Sequence, residues 1–335
     1  MRTKALALGL ATLVAASSGN ARPLEAQTAD YYEQTYLSSS HNWNFRREFE
    51  RADRLFNAFD FGHSILYETL WSKPEAPPAL LEENQFSFIT TRLLRSPPNV
   101  PLDESAIGPG WSRLVPEVVE MFEWAHMLHR QIYDVCATPG ITDGDRDREI
   151  ARLLAYYKSR PALAFSSLPK HMDLMEGQPY SLAFRRGYPK FNGLIWSYHW
   201  LQIALYDALM VAGNAVEAKR NVDRTVRRFG EITSGGTKTL PSAMPMSPAV
   251  APVFSSRYPE AAIIFDNLHS LHDVVSDILA DQSIPRNMKR ATILRAAGAY
   301  RDSTSSVTSI TEWKDMAASM GVEAMGGLPP TGGSK

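Results

Sequence analysis

The stretch PEVVEMFEWAHMLH, Pro116 to His129, returns further along the chain as PEAAIIFDNLHSLH, Pro259 to His272. Laid on each other without a gap, residues 116–158 and 259–301 share twelve identities in 43 positions. Among them are Phe122/Phe265, His126/His269, Leu128/Leu271, His129/His272 and Asp134/Asp277. Within each copy the apolar and histidine positions recur with the helical spacing of three and four. Val115, Val119, Phe122, His126, His129 and Tyr133 form one stripe, and Ala262, Phe265, His269, His272, Ser276 and Leu279 form the other. Such stripes face the inside of a bundle.

Outward from these copies the helical period continues. Phe56, Phe59, His63, Leu66 and Leu70 mark a first helix over Asn42–Trp71. Ile195, His199, Gln202, Tyr206 and Leu209 mark another, within a helical stretch from Phe191 to Phe229 bent near Gly213-Asn214. Further helices are expected at Leu80–Leu94, Asp145–Lys158, Arg286–Arg301 and Ser309–Met320, with Ser234–Pro259 a long loop. No convincing period-2 run suggests a strand. The expected fold is all-α: a helical bundle built from an internal duplication, a pseudo-two-fold four-helix core with extra helices. On the weaker evidence of the flanking sequence, His63 and His199 are paired as counterparts in the two halves.

Composition narrows the function. With 335 residues, 44% hydrophobic and 10% aromatic, the chain has ample material for a core. A net charge of −1 argues against nucleic acid as a partner. The single cysteine, Cys136, excludes an internal disulfide and a cysteine-based metal cluster. Residues 1–26 have the layout of a secretory signal peptide: basic Arg2 and Lys4, an apolar run from Ala5 to Ala16, then small residues, with cleavage after Ala21 or Ala26. Its removal takes three cations and one acid, leaving the mature chain at −3. A periplasmic or secreted protein with no membrane span is expected. The single domain covers 27–325, and the Gly/Pro-rich segment 326–335 is expected to be a disordered tail. Oligomeric state is not legible.

Six of the eight histidines lie on the inward stripes, and only His41 and His171 lie off them. Carboxylates accompany them one turn earlier, as Asp60 with His63, Glu123 with His126 and Asp266 with His269. Residues three apart share a helix face, so each pair can reach one ion or orient one ring. Paired Glu-x-x-His helices are the ligand pattern of di-iron and di-manganese bundles, though His199 has Trp196 where that pattern wants an acid. Three imidazoles per ion is also similar to coupled dicopper oxygen sites. A single core histidine is most often a hydrogen-bonded structural residue. Six together would demand many specific partners.

The expected metal ligands are therefore Asp60, His63, Glu123, His126, His129, His199, Asp266, His269 and His272, holding two transition-metal ions. Iron is favoured, with copper, manganese or zinc as alternatives and haem b as a further one. The expected activity is that of an oxidoreductase acting on dioxygen, peroxide or another small molecule. The alternatives are a non-enzymatic metal or haem protein and a binding module with a structural histidine core. A His-Asp phosphohydrolase dyad at His272-Asp273 is disfavoured, because its counterpart is His129-Arg130.

Overall fold

The computed structural model describes Tyr32 and residues 34–331; the signal segment 1–26 lies outside the described residues. The chain is all-α. No strand forms among the described residues, where the one β-like feature is an isolated bridge between Lys170 and Val307. No helix among them is long and apolar enough to cross a membrane.

Four long helices make the core: α1 (Glu50–Ser72), α2 (Pro116–Cys136), α4 (Pro189–Met210) and α6 (Pro259–Ala280). Three more lie outside them, α3 (Asp143–Lys158) on α2, α5 (Ala215–Ser234) on α4 and α7 (Arg286–Arg301) on α6. Within the core, α6 packs on both α1 and α2, and α4 packs on both as well. Each core helix is about 30 Å long, enough for five or six turns of inward side chains.

Local chemistry sets where these helices begin. Pro116, Pro189 and Pro259 occupy the first turn, where proline gives up no needed N–H. The residue before each is forced out of the helical region, with φ of −140° at Val115, −139° at Tyr188 and −126° at Tyr258. The expected single helix over 42–71 is broken. A short helix, Asn44–Glu48, precedes α1, with Phe49 at φ −134° between them. The cause is Asp134, whose carboxylate accepts the backbone N–H groups of Trp43 at 2.9 Å and Phe45 at 2.8 Å. That bond pair holds the short helix against α2, and Trp43 takes a left-handed φ of 71° to enter it.

The stretches matched in sequence fold as like pairs. With Pro116 laid on Pro259, the pair α2 and α3 begins and ends where α6 and α7 do, apart from a one-residue extension of α6. Their anchoring bonds also correspond. Asp277 accepts from Leu182 and Phe184 as Asp134 does from Trp43 and Phe45, and Leu182 also has a left-handed φ, 68°. Glu68 accepts from the backbone of Gly110 and Trp111, and Asp207 from Val253 and Phe254. These contacts lay Glu68 on Asp207, and so set α1 on α4 in a register that does not bring His63 onto His199. In that register the counterpart of His63 is Gln202, and the counterpart of His199 is Asp60.

The connectors hold more structure than the sequence suggests. Within the expected loop 234–259, short helices form at Ser247–Val250 and Pro252–Arg257. The expected tail is docked over its described part: Trp200 Nε1 donates to the carbonyl of Gly327, and Gly326 and Gly327 are buried.

Candidate metal centre

The inward stripes of the four core helices bring all six expected histidines together. None is more than 1% exposed. Their rings form a continuous chain: His126 to His272 at 5.5 Å between centroids, His272 to His63 at 4.3 Å, and His63 to His199 at 5.3 Å. It continues from His199 to His269 at 4.2 Å and from His269 to His129 at 5.9 Å. His41 and His171 lie away from it; His41 bonds Thr138 and His171 faces Asp173 near the surface.

Three of the six converge most closely. One nitrogen each from His63 on α1, His199 on α4 and His272 on α6 lies within 4.8 Å of the others. A tetrahedral first-row ion holds imidazole nitrogens at about 2.0–2.1 Å, hence roughly 3.4 Å apart, so ring shifts of about 1 Å complete three corners of a site. The fourth corner is left for a further ligand.

Neighbours fix which atom several rings present. His63 Nδ1 donates to the carbonyl of Phe59 at 3.3 Å, leaving Nε2 as the lone-pair atom. His269 Nε2 donates to Gln202 Oε1 at 3.0 Å, leaving Nδ1. Tyr206 Oη sits 2.6 Å from His129 Nδ1. Asp60 Oδ1 lies 3.5 Å from His126 Nδ1, and Arg130 holds Asp60 by a 2.7 Å ion pair. Arg130 is in turn stacked over Phe56, 4.3 Å from the ring centre. This support of ligand by neighbour is what metal sites use to set tautomer and direction.

Nine imidazole nitrogens in the cluster are nevertheless buried with no hydrogen-bond partner: His63 Nε2, His129 Nε2, His269 Nδ1 and both nitrogens of His126, His199 and His272. Orphaned buried polar atoms are costly and rare, at about 1–3 kcal/mol each. A bound ion would satisfy several at once, so the residues fit a metal. Burial keeps the rings neutral. It pushes His63 down to about 3, helped by His126, and His126 down to about 3, helped by Arg130. His129, His199, His269 and His272 fall well below the usual histidine value, through burial first and neighbouring rings second. Neutral imidazole is the form that donates a lone pair to a metal.

The expected carboxylates have other partners. Glu123 accepts from the Tyr32 hydroxyl at 2.7 Å and the Glu104 N–H at 3.3 Å. Asp266 accepts from the Ser247 N–H and hydroxyl and from Trp313 Nε1 at 2.8 Å. Both therefore tie connectors to the core instead of facing the histidines. Asp60 alone of the three lies beside a cluster ring. Asp273 accepts from Trp196 Nε1 at 2.7 Å. The supporting residues Gln202 and Tyr206 were visible on the α4 stripe, though with no role attached. Arg130 gave no signal, because its counterpart is Asp273.

Comparison with known protein families, with curated proteins and with solved structures gives no match, so the site is read from the chain's own geometry.

Proposed function

We propose that this chain is an exported metal-binding protein, an oxidoreductase whose buried histidine cluster holds a first-row transition metal at His63, His199 and His272. The observation that carries the reading is the set of nine unpartnered buried imidazole nitrogens on rings a few ångströms apart. Beyond His199, His269 and His129 lie 5.9 Å apart and offer two ligands for a second ion, which would make the centre dinuclear. With Glu123 and Asp266 engaged elsewhere, the donor set is richer in nitrogen than that of carboxylate di-iron bundles. That supports copper beside iron, both of which accept imidazole.

Enclosure limits what can react there. Phe59, Phe122 and Phe265 pack against the histidines, with ring centroids 4.1 Å from His63, 4.3 Å from His272 and 3.7 Å from His129. A haem would have to displace them. Electrons, or molecules as small as dioxygen or a peroxide, suit a centre this deep.

Elemental analysis and an absorption spectrum of untagged protein test the proposal. One or two first-row metal ions per chain are expected. His199→Ala and His272→Ala should each abolish binding at the triad, and His129→Ala and His269→Ala should remove the second ion. His41→Ala should leave the content unchanged. Metal-free protein that folds equally well with or without added iron, copper, manganese or zinc would overturn the reading, and a Soret band would replace it with haem.

A further inference from the structure

A groove of about 550 Å³ opens at the end of the bundle where α2 and α4 finish. Its floor is apolar, formed by Phe49, Cys136, Leu209 and Ala212. Its lip carries Val216, 70% exposed at the start of α5. A volume of this size lined mainly by apolar atoms is typical of small-molecule sites.

The polar groups on its walls favour one charge. Arg146, Lys219 and Arg220 line it, against the acids Glu48 and Asp223. Lys219 pairs with Asp223 at 3.6 Å, whereas Arg220 has no ion partner among the described residues. Arg146 is more telling. One end of its guanidinium pairs with Asp143 at 3.0 Å, but its Nε is buried without a hydrogen-bond partner. That Nε is closed off from the groove, so the 11% of the Arg146 side chain that remains exposed is what a ligand oxygen would meet.

The floor also lies close to the histidines. Cys136 is seven residues beyond His129 on α2, about 10 Å along the helix. One turn beneath the floor, Tyr133 and Tyr206 stand 4.6 Å apart, and Tyr206 touches His129.

We propose that this groove binds an amphipathic organic anion, its apolar body on the Leu209–Ala212 floor and its acid group at Arg146 and Arg220. The site is defined without reference to any metal, so it is tested on chelated protein and its failure leaves the metal reading untouched. The full mature chain is titrated with 8-anilinonaphthalene-1-sulfonate, then displaced with decanoate and with decanol. One saturable site per chain is expected, with decanoate the stronger competitor. Ala212→Trp, which fills the groove, should weaken decanoate by about tenfold or more. Arg146→Gln and the exposed Arg220→Gln should each weaken decanoate by about fivefold while changing decanol less than about twofold. Thermal midpoints within a few degrees of wild type show that the variants fold. The absence of a saturable site, or an Ala212→Trp protein that binds as wild type does, overturns the proposal. Equal losses for decanoate and decanol overturn the assignment of an anion.

Discussion

Asp134 and Asp277 show how single side chains shape this molecule. Each accepts two backbone N–H groups from a segment far earlier in the chain, at 2.8–2.9 Å. Replacement by alanine leaves those donors unpaired, with Phe45 and Phe184 buried and Trp43 and Leu182 partly so. Asp134→Ala and Asp277→Ala should therefore each cost about 2–3 kcal/mol in denaturant unfolding. Their pH dependence has a definite sign. Burial pushes Asp134 up to about 7 and Asp277 up to about 6, against the pull of the donors. An acid raised in the fold contributes stability that is present below its unfolded value near 4 and is lost as pH rises through the folded one. Asp134→Asn, which cannot titrate, should thus be more destabilised relative to wild type at pH 5 than at pH 8. Unfolding curves at the two pH values decide it; an equal or larger deficit at pH 8 would reverse the sign.

Among the elements, the glycines separate two kinds of helix. Gly193 lies in α4 where the Leu240–Pro241 segment crosses it, and an added Cβ would stand 2.8 Å from Leu240 Cβ. Gly298, in the outer helix α7, has nothing within 4 Å of that position. Gly298→Ala should raise stability by about 0.5–1 kcal/mol through helix propensity and a less mobile unfolded chain. Gly193→Ala should lower it, despite the same propensity gain. Melting temperatures of the two variants should move in opposite directions.

The helices themselves were largely legible, and the reason lies in particular residues. α7 spans Arg286–Arg301 as expected, and the stripe of Phe265, His269 and His272 lies on one helix that begins at Pro259. α1 was not delimited correctly, since the break at Phe49 depends on a bond to Asp134, distant in sequence and silent in local propensity. The pairing of His63 with His199 finds no support in the anchoring bonds of Glu68 and Asp207. In the register those bonds suggest, α1 and α4 keep few identities, Tyr67/Tyr206 and Leu70/Leu209 among them, and histidines attract the eye more than tyrosines. For the centre, periodicity was enough to gather six imidazoles. The one-turn spacing of Glu123 and Asp266 misled, because a carboxylate on the same face can still reach outward to a connector.

At the scale of the whole molecule, an ion at the proposed centre would couple to folding. Its ligands come from four helices spread along the chain from Glu50 to Ala280, so an ion bound there is bound by the native state alone. Such a ligand adds about 4 kcal/mol at a thousandfold excess over Kd. Reconstituted protein should melt several degrees above the chelated form, and His199→Ala should abolish the difference; equal melting of loaded and chelated wild type would sever metal from fold.

The neutrality of the rings has a further consequence, in volts. The nearest carboxylate, Asp60, is already balanced by Arg130, so the cage brings almost no negative charge to meet a cation. In a dry interior each additional positive charge is poorly screened. A metal held as proposed would therefore be favoured in the lower of two oxidation states. The reduction potential of copper or iron, if held as proposed, should lie above that of the same ion on histidines in water. Potentiometric titration of Asp60→Asn, which takes the nearest carboxylate from the Arg130 cation beside the rings, should show that potential rise further.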